Sequence, residues 1–357
     1  MKKLTILFSI VMAAIIIIIS CNKKNDDPVP VERKKCAWVV GWEDSTGYGM
    51  ILYSADAGET WVRQGQGSTA LQGIDVDDIW ALDENNVWAT GTNNVILRTI
   101  NGGQTWSRIQ APANIANTVL MSISIIDNTN IWISGGSGIV YNSIDGGSTW
   151  TMFDTSFFHC GGMQGIWAIN PQVVYVVGGI SKNTDNERGF VGYTQDGGAT
   201  WDSVFPANNY NKHEWIGVTA SGNTIVVYGV KSHYMVSTDG GTTWKNDSIP
   251  GTGGGGTPAD INHLIMLNSQ IWWGSLDMGQ IYLTTDGGST WASQLSGQGG
   301  KYLVGIDAWD SQLALAVGMS VSWPEQGPIL KTSNGGAHWE VKHTYNSNLN
   351  KVSFIKK

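Results

Sequence analysis

Hydrophobic and polar positions along this chain alternate over short runs, not at helical spacing. Runs such as Asn86-Val87-Trp88-Ala89-Thr90-Gly91, Asn130-Ile131-Trp132-Ile133-Ser134-Gly135 and Val173-Val174-Tyr175-Val176-Val177-Gly178 are rich in β-branched and aromatic residues and end on glycine, which predicts β-strands. Each precedes, at a similar distance, a copy of an octapeptide first met as Ser54-Ala55-Asp56-Ala57-Gly58-Glu59-Thr60-Trp61. Six further copies begin at Thr99, Ser143, Thr194, Ser237, Thr284 and Thr332 and close on Trp106, Trp150, Trp201, Trp244, Trp291 and Trp339. The intervals between closing tryptophans are 45, 44, 51, 43, 47 and 48 residues, a period that suits one four-stranded blade of a β-propeller. In one such unit, Leu71 to Asp83 is expected to supply the first strand, Val87 to Gly91 the second, Val95 to Thr99 the third and Trp106 to Ile109 the fourth. The octapeptide then caps the hairpin between strands three and four.

The same pattern predicts how the ring closes. Cys36-Ala37-Trp38-Val39-Val40-Gly41 reads as a second strand and Leu349-Asn350-Lys351-Val352-Ser353-Phe354-Ile355 as a first strand, so blade one draws on both ends of the domain. The expectation is an all-β fold over residues 35–357: a seven-bladed β-propeller of four-stranded antiparallel blades, closed by the C-terminal strand joining blade one. Such closure pairs two sheet edges that would otherwise be exposed.

The octapeptide's residue types have a mechanical reason. A carboxylate or amide at the third position (Asp56, Asn101, Asp145, Asp196, Asp239, Asp286, Asn334) can accept N–H groups of its own turn, and glycine at the fifth tolerates positive φ. The closing tryptophan carries a large apolar ring between adjacent sheets. One acid repeated in one turn is a structural staple, and neither a metal site nor a cofactor is expected. This pattern resembles the Asp-box, or BNR, repeat of sialidases and of several non-enzymatic propellers, with Asn101, Asn334, Ala57 and His338 as its departures. Taken with the aromatic-plus-glycine second strands, the whole run resembles the photosystem II stability/assembly factor-like group of seven-bladed propellers.

Composition changes the picture mainly at the N-terminus. The 357 residues carry 21 Lys and Arg against 29 Asp and Glu, a formal net charge of −8, with only 14% charged residues. No basic stripe appears, so a nucleic-acid partner is excluded. Lys2 and Lys3 followed by an apolar run from Leu4 to Ile19 read as a secretory signal over residues 1–20. Ile18-Ile19-Ser20-Cys21 resembles a bacterial lipobox, which implies lipid modification of Cys21, and residues 21–34 read as a flexible tether. Lys24-Asn25-Asp26-Asp27 resembles the acidic export signals of Bacteroidetes lipoproteins, pointing to the outer membrane, on its periplasmic or surface face. The lipid anchor is the one membrane contact expected. Cys36 and Cys160 fall far apart in the ring, so no disulfide is expected.

In this topology the connections from strand two to three and from strand four to the next blade share one face, and the octapeptides occupy the other. Ligand chemistry is expected on the former, where loop lengths vary. Of the 18 tryptophans, those closing octapeptides, those in second strands, and Trp80, Trp167, Trp215 and Trp309 beside first strands are expected to pack between blades. Trp42 and Trp323 fall in loops of the candidate face, with Tyr48, Phe157, Phe158, Tyr210 and Arg188 as companion ligand-binding candidates. The sialidase resemblance implies three arginines gripping a carboxylate. Arg33, Arg63, Arg98, Arg108 and Arg188 are the arginines present, and none lies in the motif that opens sialidase domains. Nor does that set match the arginine cluster of the photosystem assembly group, so its chlorophyll-protein ligands are not carried over. The expected function is a lipid-anchored, non-enzymatic binding or assembly scaffold for a protein or glycan ligand. The alternative is a glycoside hydrolase of the sialidase-like superfamily, acting through a pair drawn from Glu43, Asp185, Glu187 and Glu325.

Overall fold

A computed structural model of the chain describes residues 34–112, 118–153, 162–179, 189–204, 214–254, 257–297, 301–320 and 326–355. These form seven four-stranded antiparallel sheets, each packed by its first strand against the next, in one closed ring. Blade 1 carries Leu349–Phe354 as its first strand, followed outward by Ala37–Glu43, Gly49–Ser54 and Val62–Arg63. Ala37 pairs with Phe354 and Val39 with Val352, so the C-terminal strand closes the ring as the pattern predicts. Blade 2 has its first strand at Val76–Ala81 and its fourth at Ser107–Ile109, both shorter than the sequence pattern expects. The fourth strand of blade 5 is Lys245–Ser248.

The octapeptides fold alike because each satisfies its own polar groups. In blade 4 the Thr194 hydroxyl donates to Asp196 Oδ1 at 2.8 Å and accepts the Gly198 N–H at 2.8 Å. Asp196 also accepts the Thr200 N–H at 2.8 Å and hydroxyl at 2.6 Å. Blades 3 and 5 repeat this, and the hydroxyls and amides of Thr149 and Thr243 hold Asp145 and Asp239 down at about 2. Asn334, where His338 stands for threonine, keeps the backbone half of the pattern. The fourth and fifth positions are both left-handed, Gly240 at φ +72° and Gly241 at +92° in blade 5, and Ala57 adopts +62° in blade 1. A Cβ at the fifth position would strike the neighbouring blade: Tyr234 at Gly288, 3.0 Å away, and Trp273 at Gly336, 2.9 Å away.

The tryptophans pack as expected in most blades. Trp38, Trp88, Trp132, Trp215, Trp272 and Trp273 are fully buried. Closing tryptophans lean on the preceding blade, Trp201 edge-on to Trp132 at 6.3 Å and Trp339 to Trp273 at 5.8 Å. Cys36 is a free, buried thiol beside the Tyr53 hydroxyl at 3.2 Å; Cys160 lies outside the described residues.

Every first strand carries one β-bulge at the same place. The bulged residues are Asp77, Met121, Gln164, Ile216, Asn262, Val304 and, in blade 1, Asn350. A bulge re-aims its side chain, and all seven are half-exposed and line one axial cavity.

Below the bulge, among the described residues, side chains of six of the seven blades tie to the backbone of the next. Ser353 accepts the Ala81 N–H at 3.2 Å, Ser124 that of Ala168 at 3.0 Å, and Asp307 that of Phe354 at 2.8 Å. Blades 2 and 6 have Trp80 and Ile265 at the corresponding position, and there the tie moves up the strand. Asp78 accepts the Ile123 N–H at 2.9 Å, and His263 Nδ1 lies 2.8 Å from the Ile306 carbonyl. In blade 5 the Tyr228 hydroxyl, passing over Gly217, accepts from Leu264. The closing junction has an outer clamp as well: Glu59 of blade 1 meets the buried Lys331 at 2.5 Å and Lys342 at 2.7 Å, both from blade 7.

Candidate functional site

Strand direction puts the bulged residues at the end of the axis nearest the variable loops and the octapeptides at the opposite face. The axial cavity between them has a volume of about 640 Å³. Three layers of side chains can be followed down it. The bulge ring mixes Asp77, Gln164, Asn262 and Asn350 with apolar Met121, Ile216 and Val304. Next come Asp78, Ser122, His263 and Lys351, with Gly165, Gly217 and Gly305 in the remaining blades. Gly305 leaves room for Lys351 of blade 1 to cross blade 7 and place Nζ 2.7 Å from His263 Nε2, while Asp78 lies 3.7 Å away. With the ammonium donating, Nε2 accepts and Nδ1–H donates to the Ile306 carbonyl. The third layer holds Trp80, Trp167 and Thr219 beside the blade ties.

The electrostatics of the upper layers are unbalanced towards acid. Burial, then the carboxylates Asp75 and Asp78, push Asp77 up to about 7, and its Oδ2 is buried without a hydrogen-bond partner. Asp277, from the strand 2–3 connection of blade 6, is raised by burial against the opposing bond from Asn262 Nδ2 at 2.9 Å. Asp260 accepts the Lys231 N–H at 2.7 Å. Among the described residues no group of three or more His, Cys, Asp or Glu is placed to hold a metal ion.

On the loop face the described candidates serve the frame. Trp42 is half-buried, its N–H donating to the Asn348 carbonyl at 3.0 Å and its carbonyl accepting from Ser347 at 2.9 Å. Tyr48 is half-buried against the blade 1 core and bridges to Gln72. Glu43 is exposed, and its backbone N–H donates to Asp75 Oδ1 at 2.9 Å. Asp44 caps its own turn at Thr46 and pairs with Arg63 at 3.2 Å; burial raises its carboxyl, but the Thr46 hydrogen bonds and then the Arg63 charge outweigh it and lower the carboxyl. Phe157, Phe158, Asp185, Glu187, Arg188, Tyr210, Trp323 and Glu325 lie outside the described residues, as does Cys21.

The described arginines do not converge. Arg63 is committed to Asp44, and Arg98 stacks 4.5 Å over the Trp88 ring and donates to the Gly146 carbonyl of blade 3. Arg108 donates to the Ala70 and Gln72 carbonyls. Trp80, Trp167 and Trp309 pack against the next blade as expected, and they also do something the sequence reading did not assign. They are half-buried and face the cavity, with Trp80 and Trp167 5.5 Å apart across blade 3. A usable signal was present in the sequence: a strand buried on all sides should be apolar, yet Asp77-Asp78, Asn262-His263 and Asn350-Lys351 interrupt theirs.

Residues 68–190 match the family model of the photosynthesis system II assembly factor YCF48, and residues 235–246 match the BNR/Asp-box repeat. No curated protein matches the chain. Similar solved structures include YCF48 bound to D1 peptide, at 19% identity over 74% of this chain and 80% of that one, with a TM-score of 0.55. YCF48 from Cyanidioschyzon merolae is 16% identical over 85% of this chain and 97% of that one, with a TM-score of 0.58. The GH74 xyloglucanase of Xanthomonas campestris is 14% identical over 92% of this chain but only 55% of its own length, with a TM-score of 0.58. This chain is therefore a seven-bladed Asp-box propeller similar to the YCF48 assembly factors, and its likeness to the glycosidase is one of fold.

Proposed function

We propose that this propeller is a non-enzymatic binding scaffold that holds a segment of a partner polypeptide on its loop face. One observation carries the reading. The octapeptide hairpins close their polar groups on themselves in the same way, blade after blade, whereas the opposite face is where the repeat breaks and an acidic cavity mouth opens. The likeness to YCF48, one structure of which holds a D1 peptide, supports a polypeptide as the ligand class. The hydrolase alternative has less support, since its one described carboxylate, Glu43, is exposed and lies outside the cavity lining.

A lipid anchor at Cys21 is part of the same proposal. The described chain enters the ring on the octapeptide side, where Lys34 pairs with Glu84 at 3.2 Å and the Lys35 carbonyl accepts the Ala57 N–H at 3.0 Å. Metabolic labelling with a fatty acid should mark the protein and fail to mark Cys21→Ala.

The binding reading is tested by placing a photo-crosslinking amino acid at Glu43, on the loop face, or at Thr242, in an octapeptide. A discrete adduct from the first position alone is expected, together with no product from a broad glycan panel. Adducts only from Thr242, or glycan turnover lost in Glu43→Gln, would reverse it.

A further inference from the structure

We propose that the axial cavity is a separate binding site, for a neutral polyhydroxylated ring such as a sugar residue, seated between Trp80, Trp167 and Thr219. The volume of about 640 Å³ falls within the roughly 300–1,000 Å³ of small-ligand pockets. Its walls combine the two surfaces that such a ring presents.

The first is apolar. Trp80 and Trp167 project from blades 2 and 4 and approach each other past the small Ser124 of blade 3, half-buried and lining the cavity. At the same strand position Ser124, Ser353 and Asp307 tie blade to blade. Tryptophan there forfeits that tie, so blade 2 uses Asp78 instead. An indole surface left facing a cavity gains by covering it with the C–H face of a ring.

The second is polar. Thr219, in the same layer of blade 5, lines the cavity at 2% exposure, and its hydroxyl has no partner. The tie to blade 6 that its position would otherwise make is supplied by Tyr228, which leaves the threonine hydroxyl spare. A buried hydroxyl without a partner costs stability, and a ligand hydroxyl would satisfy it. Asp77 and Ser122 offer further polar atoms above it. Charge narrows the class: in the layer directly above this seat Lys351 and Asp78 stand 3.7 Å apart, so a cation bound beside them meets the ammonium and an anion meets the carboxylate. A neutral ring with many hydroxyls avoids both penalties.

The site is independent of the loop-face reading, and the test needs no partner protein. Glucose, glucosamine and glucuronate are titrated into the purified protein by saturation-transfer NMR, with Thr219→Val and Trp167→Leu alongside. Saturable glucose binding is expected, stronger than that of either charged sugar, weakened about fivefold by Thr219→Val through loss of one hydrogen bond and abolished by Trp167→Leu. Thr219→Val replaces an unpartnered hydroxyl with a methyl group of the same shape, so its melting temperature should not fall, which separates a binding loss from a folding loss. Absence of saturable glucose binding, tighter binding of glucosamine or glucuronate, or glucose affinity unchanged in Thr219→Val would overturn the proposal.

Discussion

Single residues in this ring divide into those that close a turn and those that face the axis, and the two kinds respond oppositely to substitution. Thr194 is buried, donating to Asp196 and accepting from Gly198; Thr194→Ala orphans the buried Gly198 N–H and leaves Asp196 to the Thr200 bonds alone, and a loss of about 1–2 kcal/mol is expected in a denaturant titration. Asp77 behaves in the other sense. Its carboxyl is raised to about 7 by burial and by Asp75 and Asp78, while in the unfolded chain it ionises near 4. Between those values the native state holds more protons than the unfolded state, so the Asp77 contribution to stability falls as pH rises from about 4 to about 7. Asp77→Asn should therefore match the parent near pH 4 and melt higher above pH 7. A variant that melts lower at pH 8 would mean that the ionised carboxylate has a partner. The turn residues were readable from the sequence because seven copies expose their spacing, whereas Asp77 showed only as a polar break in an apolar strand, since the bulge that aims it at the axis leaves no repeated sequence mark.

At the scale of the hairpin, the fourth and fifth octapeptide positions share left-handed geometry but differ in surroundings. Gly240 has open space about its Cα, while a Cβ at Gly241 would overlap the Tyr175 hydroxyl of the preceding blade. Gly240→Ala should cost about 1 kcal/mol, the left-handed penalty alone. Gly241→Ala should cost about 3 kcal/mol, because overpacking is added. Equal losses would show that the inter-blade contact is absent. The requirement for glycine at the fifth position was legible from the turn, but its packing role was not, because the atoms it avoids belong to a strand some 65 residues earlier in the chain. First strands carried least information. Their order and number followed from the period, but which side chain faces the axis depends on one bulged residue, and alternation reads through a bulge in the wrong phase. That is why the sequence showed the packing of Trp80 and Trp167 but not their place on the cavity wall.

For the whole molecule, blade count and closure were legible because both ends of the domain keep the strand pattern of an incomplete blade. The closing junction is reinforced beyond backbone pairing, by Asp307 to Phe354, Ser353 to Ala81, Lys351 to His263, and the clamp of Glu59 with Lys331 and Lys342. Lys331 is buried and Glu59 half-exposed, so Glu59→Gln leaves a buried ammonium short of its carboxylate, which is strongly destabilising in other proteins. A lower melting temperature that added salt fails to reproduce in the parent is expected, because screening reaches exposed pairs far more than buried ones. The axial cavity and the loop face both take their shape from this closure. Hydrogen exchange followed by mass spectrometry tests it most directly. The amides of Leu349–Phe354 should exchange as slowly as those of the buried second strand Val87–Gly91, opening only when the whole ring unfolds. Rapid exchange in Leu349–Phe354 while Val87–Gly91 stays protected would show an open ring and remove the basis for both binding surfaces.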